Sequence, residues 1–366
     1  MAGKSHGVWV VTGILVAAVT RYVFTAWKRK KTRERLAQLE SGFPALVGHT
    51  KLIRLESLSA ATGCTILAKA EFMNPGGSSK DRIAKGIVLH AKGTGQLPVG
   101  GTIVEGTSGS TGISLSLMAR ATGYNCVVFM PDDQANEKKL VLEKFGTRVE
   151  LVKPASIVNS QHYVNQAKSF AESSAGDGYF TDQFENMANF QTHYGTTGPE
   201  IWKQTSGEVD AFVMSAGTGG TIAGVSRYLK EQNPKVQVFL VDPPGSSLYN
   251  KVRMNVCYAS EQAEQRVKRH RYDTITEGIG LDRLTQNFLA ASIDQAYRCT
   301  DKQAVEMSRY LLRNEGLFVG SSSALNCVGA VRAARQLGPG HVIVTMVRVV
   351  DHTVYRYLIV DVQLVV

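Results

Sequence analysis

Residues 102–152 read TIVEGTSGSTGISLSLMARATGYNCVVFMPDDQANEKKLVLEKFGTRVELV. Three short apolar runs within it, Thr102–Glu105, Cys126–Met130 and Arg148–Val152, have the length and composition of strands. The segments between them, Gly112–Ala121 and Asn136–Phe145, space their apolar residues as helices do. Strand, loop, helix and strand again is the unit from which parallel sheets are wound, because parallel neighbours need a crossover. The alternation continues in both directions. Before this stretch come a strand at Cys64–Ala70 and a helix at Ser79–Ala91. After it come helix Ser160–Ser173, strand Ala211–Ser215, helix Thr221–Glu231 and strand Gln237–Val241. Helices Asp301–Asn314 and Ser322–Leu337 then lead to a last buried strand, His341–Met346. The expected fold is α/β, with two doubly wound domains built on parallel sheets and one N-terminal transmembrane helix ahead of them.

The composition agrees. In 366 residues, 43% apolar and 20% charged, the chain can bury a large core, and its length suits two domains. Thirty-five glycines against ten prolines point to many tight strand-to-helix turns. The net charge of +10 comes mostly from two blocks, 28–35 and 266–271, and the remainder is near neutral. No zinc-finger spacing or basic, aromatic RNA-binding strand accompanies them, so nucleic acid is not an expected partner. The five cysteines are odd in number and never form Cys-x-x-Cys, which argues against a disulfide framework or a structural zinc and for a reducing compartment.

Gly7 to Trp27 reads GVWVVTGILVAAVTRYVFTAW, broken only by Arg21. As a helix it would span about 30 Å, enough to cross a bilayer. A secretory signal carries its positive charge ahead of the apolar run and a mitochondrial presequence is amphipathic; here the basic block follows and the run is apolar on all faces. The expectation is an anchor helix that leaves the rest of the chain in the cytosol. The expected segments are a membrane anchor with its basic flank at 1–35, a first α/β domain at 36–184 and a second at 185–366, with some exchange between the two.

Ligands of wound sheets sit at the carboxyl ends of strands, and three loops there carry chemistry. Gly217-Thr218-Gly219-Gly220-Thr221 opens a helix, where crowded N–H groups, the helix dipole and the Thr221 hydroxyl suit a phosphate, although a tight turn would use the same glycines. A dinucleotide fingerprint fails because position 222 is isoleucine. Thr107-Ser108-Gly109-Ser110-Thr111-Gly112 is rich in hydroxyls and suits a carboxylate, or else is a cluster of helix caps. In Asn74-Pro75-Gly76-Gly77-Ser78-Ser79-Lys80-Asp81-Arg82, Lys80 stands near the start of a helix, where the dipole disfavours an ammonium and favours the neutral amine that attacks a carbonyl; a plain surface lysine is the alternative. Taken together, a phosphate seat, an amine and a carboxylate seat describe pyridoxal 5'-phosphate as cofactor and an amino acid as substrate.

With these motifs the chain resembles the cysteine synthase and cystathionine β-synthase family of pyridoxal-phosphate enzymes, with the tryptophan-synthase-β-like fold. The resemblance runs from about Gly42 to Thr345 and includes Gln183-Phe184 with Ala188-Asn189, Glu277-Gly278-Ile279-Gly280 and Gly320-Ser321-Ser322-Ser323-Ala324. Ser-Lys-Asp-Arg at 79–82 separates it from serine and threonine dehydratases, which usually show Phe-Lys there. The resemblance implies that Lys80 binds the cofactor and removes the Cα proton, and that Gly217, Thr218, Gly219, Gly220 and Thr221 hold the phosphate. Thr107, Ser108, Gly109, Thr111, Gln183 and Gly278 would receive the substrate. It further implies β-substitution of O-acetylserine by sulfide to give L-cysteine, in a homodimer, with a membrane-anchored form facing the cytosol from the mitochondrial outer membrane. Condensation of serine with homocysteine, or cofactor binding without turnover, are the alternatives.

Two departures stand out. The family usually has asparagine, contacting the cofactor's phenolic oxygen, where this chain has Ser110. The family's Asp-Ser-Gly after the last strand is replaced by Met346-Val347-Arg348-Val349-Val350-Asp351-His352-Thr353. Thr353 is then the expected hydroxyl for the pyridine nitrogen.

Overall fold

The computed structural model describes residues 5–37, 42–107, 109–133, 136–259 and 274–348, with backbone alone for 5–18, 37, 136 and 137. The chain divides at Ala45 into two units. The first contains one continuous helix, Ser5–Ala37. The apolar run 7–27 forms much of it, although the side chains of 7–18 lie outside the described residues. No helix among the described residues is long and apolar enough to cross a membrane. The basic block at 266–271 also falls outside them.

Among the described residues the second unit holds ten strands: β1 (Leu52–Arg54), β2 (Thr65–Ala70), β3 (Thr102–Gly106), β4 (Asn125–Pro131), β5 (Arg148–Val152), β6 (Gly178–Phe180), β7 (Ala211–Met214), β8 (Gln237–Asp242), β9 (Gln295–Arg298) and β10 (Val342–Val347). They form two sheets, one of order β1-β2-β10-β7-β8-β9 and one of order β5-β4-β3-β6. Every neighbouring pair is parallel except β1 with β2. Residues 36–184 thus supply strands to both sheets, with β1 and β2 joining the larger one. The expected strands are all present. Three more, β1, β6 and β9, lie outside the sequence expectation: each is three or four residues long and mostly half-buried, too short to show a period.

In the larger sheet alternate residues feed two separate cores, as expected of a sheet covered on both faces. Ile66, Ala68, Val213, Phe239, Val241 and Ile343 pack with Leu325 and Val328 of the helix Ser321–Leu337. Phe212, Val238, Leu240, Val344 and Met346 pack with Ile222, Val225 and Leu229 of the helix Gly220–Gln232. The helix Ser321–Leu337 lies very close to the sheet: a Cβ at Gly329 would stand 2.0 Å from Val241 Cγ2 and 2.9 Å from Val213 Cγ1. Neither valine can swing away, since both are fully buried. Gly329→Ala is therefore expected to overpack this layer and cost about 1–3 kcal/mol. Urea unfolding should show a lower midpoint at unchanged slope; an unchanged midpoint would mean that helix and sheet part without strain.

Candidate active site

Strands β2, β10 and β7 are adjacent, so the segments leaving their carboxyl ends meet. Those segments carry Lys80, Arg348 and the glycine loop. A cleft opens there. It is lined by Lys80, Gly217, Thr218, Gly219, Thr221 and Gly278, together with Ser322, Ser323, Asn326 and Arg348.

Lys80 is the first residue of the helix Lys80–Gly93, whose start has no side-chain cap. The residues after it are held firmly. Asp81 accepts from Gly76 N–H at 2.6 Å and from Ser114 Oγ–H at 2.6 Å, closing the turn onto the helix Ser110–Thr122. Burial pushes the Asp81 carboxyl up to about 6, against the pull of these two hydrogen bonds. Arg82 donates to both oxygens of Glu71 and both of Glu200 at 2.7–2.9 Å. Lys80 thus begins a helix whose next two side chains are tied to other parts of the fold.

The glycine loop is glycine for reasons of packing. A Cβ at Gly217 would meet Gly278 O at 2.2 Å, one at Gly219 would meet Phe288 Cα at 2.5 Å, and one at Gly220 would meet Asn189 Oδ1 at 2.0 Å. Gly219 also has φ +89°, a left-handed value. These contacts satisfy the tight-turn reading, and the helix start is still open: Gly220–Gln232 has no side-chain cap and no acidic residue in its first turn. The Thr221 hydroxyl lies 3.1 Å from His193 Nε2, and His193 Nδ1 lies 2.8 Å from Thr197 Oγ1. Burial, and then the charges of Arg82 and Lys80, hold His193 well below its usual value, so the ring is neutral.

The other expected residues lie beside the cleft rather than among its lining. Thr111 donates to Gln183 Oε1 at 2.8 Å. Asn189 Nδ2 donates to Gln183 O and to Thr218 Oγ1, both at 2.9 Å, which links that glutamine to the glycine loop. Thr107 and Gly109 lie in the same loop, Thr107 buried and Gly109 half-buried. Ser108 and Thr353 lie outside the described residues.

At the end of β10 the structure places Arg348. Its Nε donates to Ser322 Oγ at 2.8 Å, Nη1 to Ser110 Oγ at 3.3 Å and Nη2 to Glu277 O at 2.9 Å. Asn326 accepts from Ser215 N–H at 2.7 Å and donates to Met346 O at 2.9 Å, joining the ends of β7 and β10. The sequence reading assigned no role to Ser322, Ser323, Asn326, Arg348 or His193. The three serines after Gly320 were its available signal, since they open a helix after a glycine just as the other two loops do.

The donor set fits a phosphorylated aldehyde. The uncapped start of Gly220–Gln232 suits a dianion, and Lys80 lies in the same cleft. Known proteins agree. Cysteine synthase 2 of Schizosaccharomyces pombe is 49% identical over 352 residues, covering 92% of this chain and 89% of that protein. A Saccharomyces cerevisiae cysteine synthase, whose name places it in the mitochondrion, is 45% identical and covers 91% and 87%. The crystal structure of O-acetylserine dependent cystathionine beta-synthase from Helicobacter pylori superposes with a TM-score of 0.75 at 29% identity, covering 86% of this chain and 97% of that one. A family model described as "Pyridoxal-phosphate dependent enzyme" matches residues 44–348. That match begins just ahead of β1 and ends one residue past β10, so it takes in both sheets whole: the chain belongs to the pyridoxal-phosphate dependent enzymes.

Proposed function

We propose that this chain makes L-cysteine by replacing the acetoxy group of O-acetylserine with sulfide, releasing acetate. The observation that carries the reading is the convergence of Lys80 and the open start of the helix Gly220–Gln232 on one cleft. The cysteine synthases among its relatives supply the substrate class. In this reading residues 36–184 and 185–366 are the two lobes, the first lending β1 and β2 to the second, and the chain works as a homodimer.

Bound pyridoxal phosphate supplies an aldehyde that condenses with amines and a ring that takes up charge from the substrate's Cα. Residues 217–221 hold its phosphate through backbone N–H groups and the Thr218 and Thr221 hydroxyls. Lys80 would hold the cofactor through its aldehyde, and its Nζ would be the base that takes the substrate's Cα proton. Gln183 commits Oε1 to the Thr111 hydroxyl, so its amide nitrogen is the end that donates to a substrate carboxylate. The loop 107–111 and Gly278 complete that seat and exclude water. Ser322 lines the cleft and accepts from Arg348, so its own proton can face the ring nitrogen, the role expected of Thr353.

Borohydride is expected to fix the cofactor covalently to Lys80 in the wild type and to leave Lys80→Ala unlabelled and still folded. A labelled peptide elsewhere in that variant would overturn the assignment.

Residues 7–27 are proposed as a membrane tether that leaves the enzyme facing the cytosol, with the mitochondrial outer membrane as its site. The support is the apolar run and the basic block after it. After alkaline carbonate treatment the full chain should stay with the membranes, and Leu15→Lys with Val19→Lys should release it. Extraction of the unmodified chain would dismiss the tether.

A further inference from the structure

Strands β3 and β6 pair from Thr102 with Gly178 to Val104 with Phe180, and there the ladder stops. Both strands then lead into the proposed substrate seat, β3 through Gly106 to Thr107 and β6 through Thr181 to Gln183. At the point where backbone pairing ends, one side chain continues it. Glu105 is fully buried. Its Oε1 accepts from Gly106 N–H at 2.8 Å, and its Oε2 accepts from Thr181 Oγ–H at 2.5 Å and from Gln183 N–H at 3.1 Å. A single carboxyl group therefore ties the root of the 107–111 loop to the backbone of the glutamine that faces it.

We propose that Glu105 is a positioning residue for the substrate-carboxylate seat: ionised, it fixes Gln183 and the loop root, and on taking a proton it loosens them. The inference rests on the seat described under the proposed function.

Among the described residues no lysine or arginine forms an ion pair with Glu105, so the three donors alone stabilise its charge. Burial pushes its carboxyl up to about 7 against those hydrogen bonds, and the nearby Asp182 carboxylate adds to the rise. The other titratable groups that face it are Tyr163, Tyr179 and Cys126. Burial raises all three, Tyr163 to about 12 and Cys126 to about 11, so they stay neutral near pH 7.

The surroundings accept both forms. A proton on Oε2 can be donated to Thr181 Oγ1, whose own hydrogen then turns to Val104 O, 3.3 Å away. No polar group is stranded. What changes is that the bonds from Gly106 and Gln183 lose their charge assistance, which roughly halves their strength. The signs separate this role from a merely structural one. A carboxyl raised above its unfolded value makes the fold less stable as pH rises through the range between the two values. The seat should instead tighten as pH rises through about 7.

The probe is propionate, a carboxylate without an amine, titrated into holoenzyme between about pH 6 and 8.5 and read by cofactor fluorescence. Affinity should rise roughly five-fold across that range, the gain of one charge-assisted hydrogen bond. Glu105→Gln should bind weakly and without inflection. Two milder variants cover the case in which that one does not fold. Thr181→Val removes a hydrogen bond that lowers Glu105, so the inflection should move to higher pH; Asp182→Asn removes a charge that raises it, so the inflection should move down. An inflection that stays at its wild-type position in all the folded variants overturns the proposal. Gln183→Ala serves as the control: if it leaves propionate affinity unchanged, the seat is misplaced and both readings fall, whereas a loss there with unmoved inflections condemns Glu105 alone.

Discussion

Arg82 is almost completely buried, and every nitrogen of its guanidinium is in use. Glu71, just after β2, and Glu200, in the helix Gly198–Gln204, grip it from two sides, and Thr50 accepts from Nη2 at 3.1 Å. Lys69, also buried, donates to the same Glu200 at 2.6 Å. Burial works against the charge on Glu200, yet hydrogen bonds from Arg82 and Lys69 hold it down at about 2. Two cations thus sit on two carboxylates in a largely buried site, where the loss of any member would leave an uncompensated charge. The network matters because of its position. It joins the strand before the lysine turn, the helix that begins at Lys80 and a helix more than a hundred residues later, so the start of that helix cannot shift without breaking it.

Around that fixed point the fold directs three helix starts at one cleft, those at Lys80, Gly220 and Ser321. The last two come from opposite faces of the same sheet, since the helices after Gly220 and Ser321 pack on different cores. Only the carboxyl edge of the sheet is common to both. The positive ends of helix dipoles therefore accumulate where an anionic cofactor is to be held, with polar residues and glycines instead of acidic side chains at the starts from Gly220 and Ser321.

The alternation of strands and helices was legible because each long element has a clear period, and the three loops were legible because glycines and hydroxyls gather at helix starts and a lysine stands at one against ordinary propensity. Less visible were contacts between distant segments. His193 beside Thr221, Asn189 beside Gly220 and Glu105 beneath Gln183 are brought together by pairing and packing, with nothing local to announce them. For the glycines at 217, 219 and 220 the sequence leaves a phosphate cradle and a tight turn both open; in the fold each admits another part of the protein: a carbonyl, a phenylalanine backbone and an amide. At the carboxyl end Thr353 lies outside the described residues; among those described, Arg348, an unremarkable residue in sequence that follows immediately on a buried strand, reaches the cleft.

The order of strands in the larger sheet bears on how the chain is made. The smaller sheet is contiguous in sequence, from Thr102 to Phe180, and can form as soon as that stretch has left the ribosome. In the larger sheet β2, the strand that leads to Lys80, lies between β1 and β10, the first and last strands among the described residues. Its longer edge, from Thr65 to Ala70, has no parallel partner until residues 342–347 have been synthesised. During translation this apolar edge must wait, open to wrong pairings or in need of chaperone cover, while most of the polypeptide is still to come. Assembly of the lysine site is therefore among the final events of biosynthesis, and a chain cut short before β10 would have one finished sheet but no cofactor cleft.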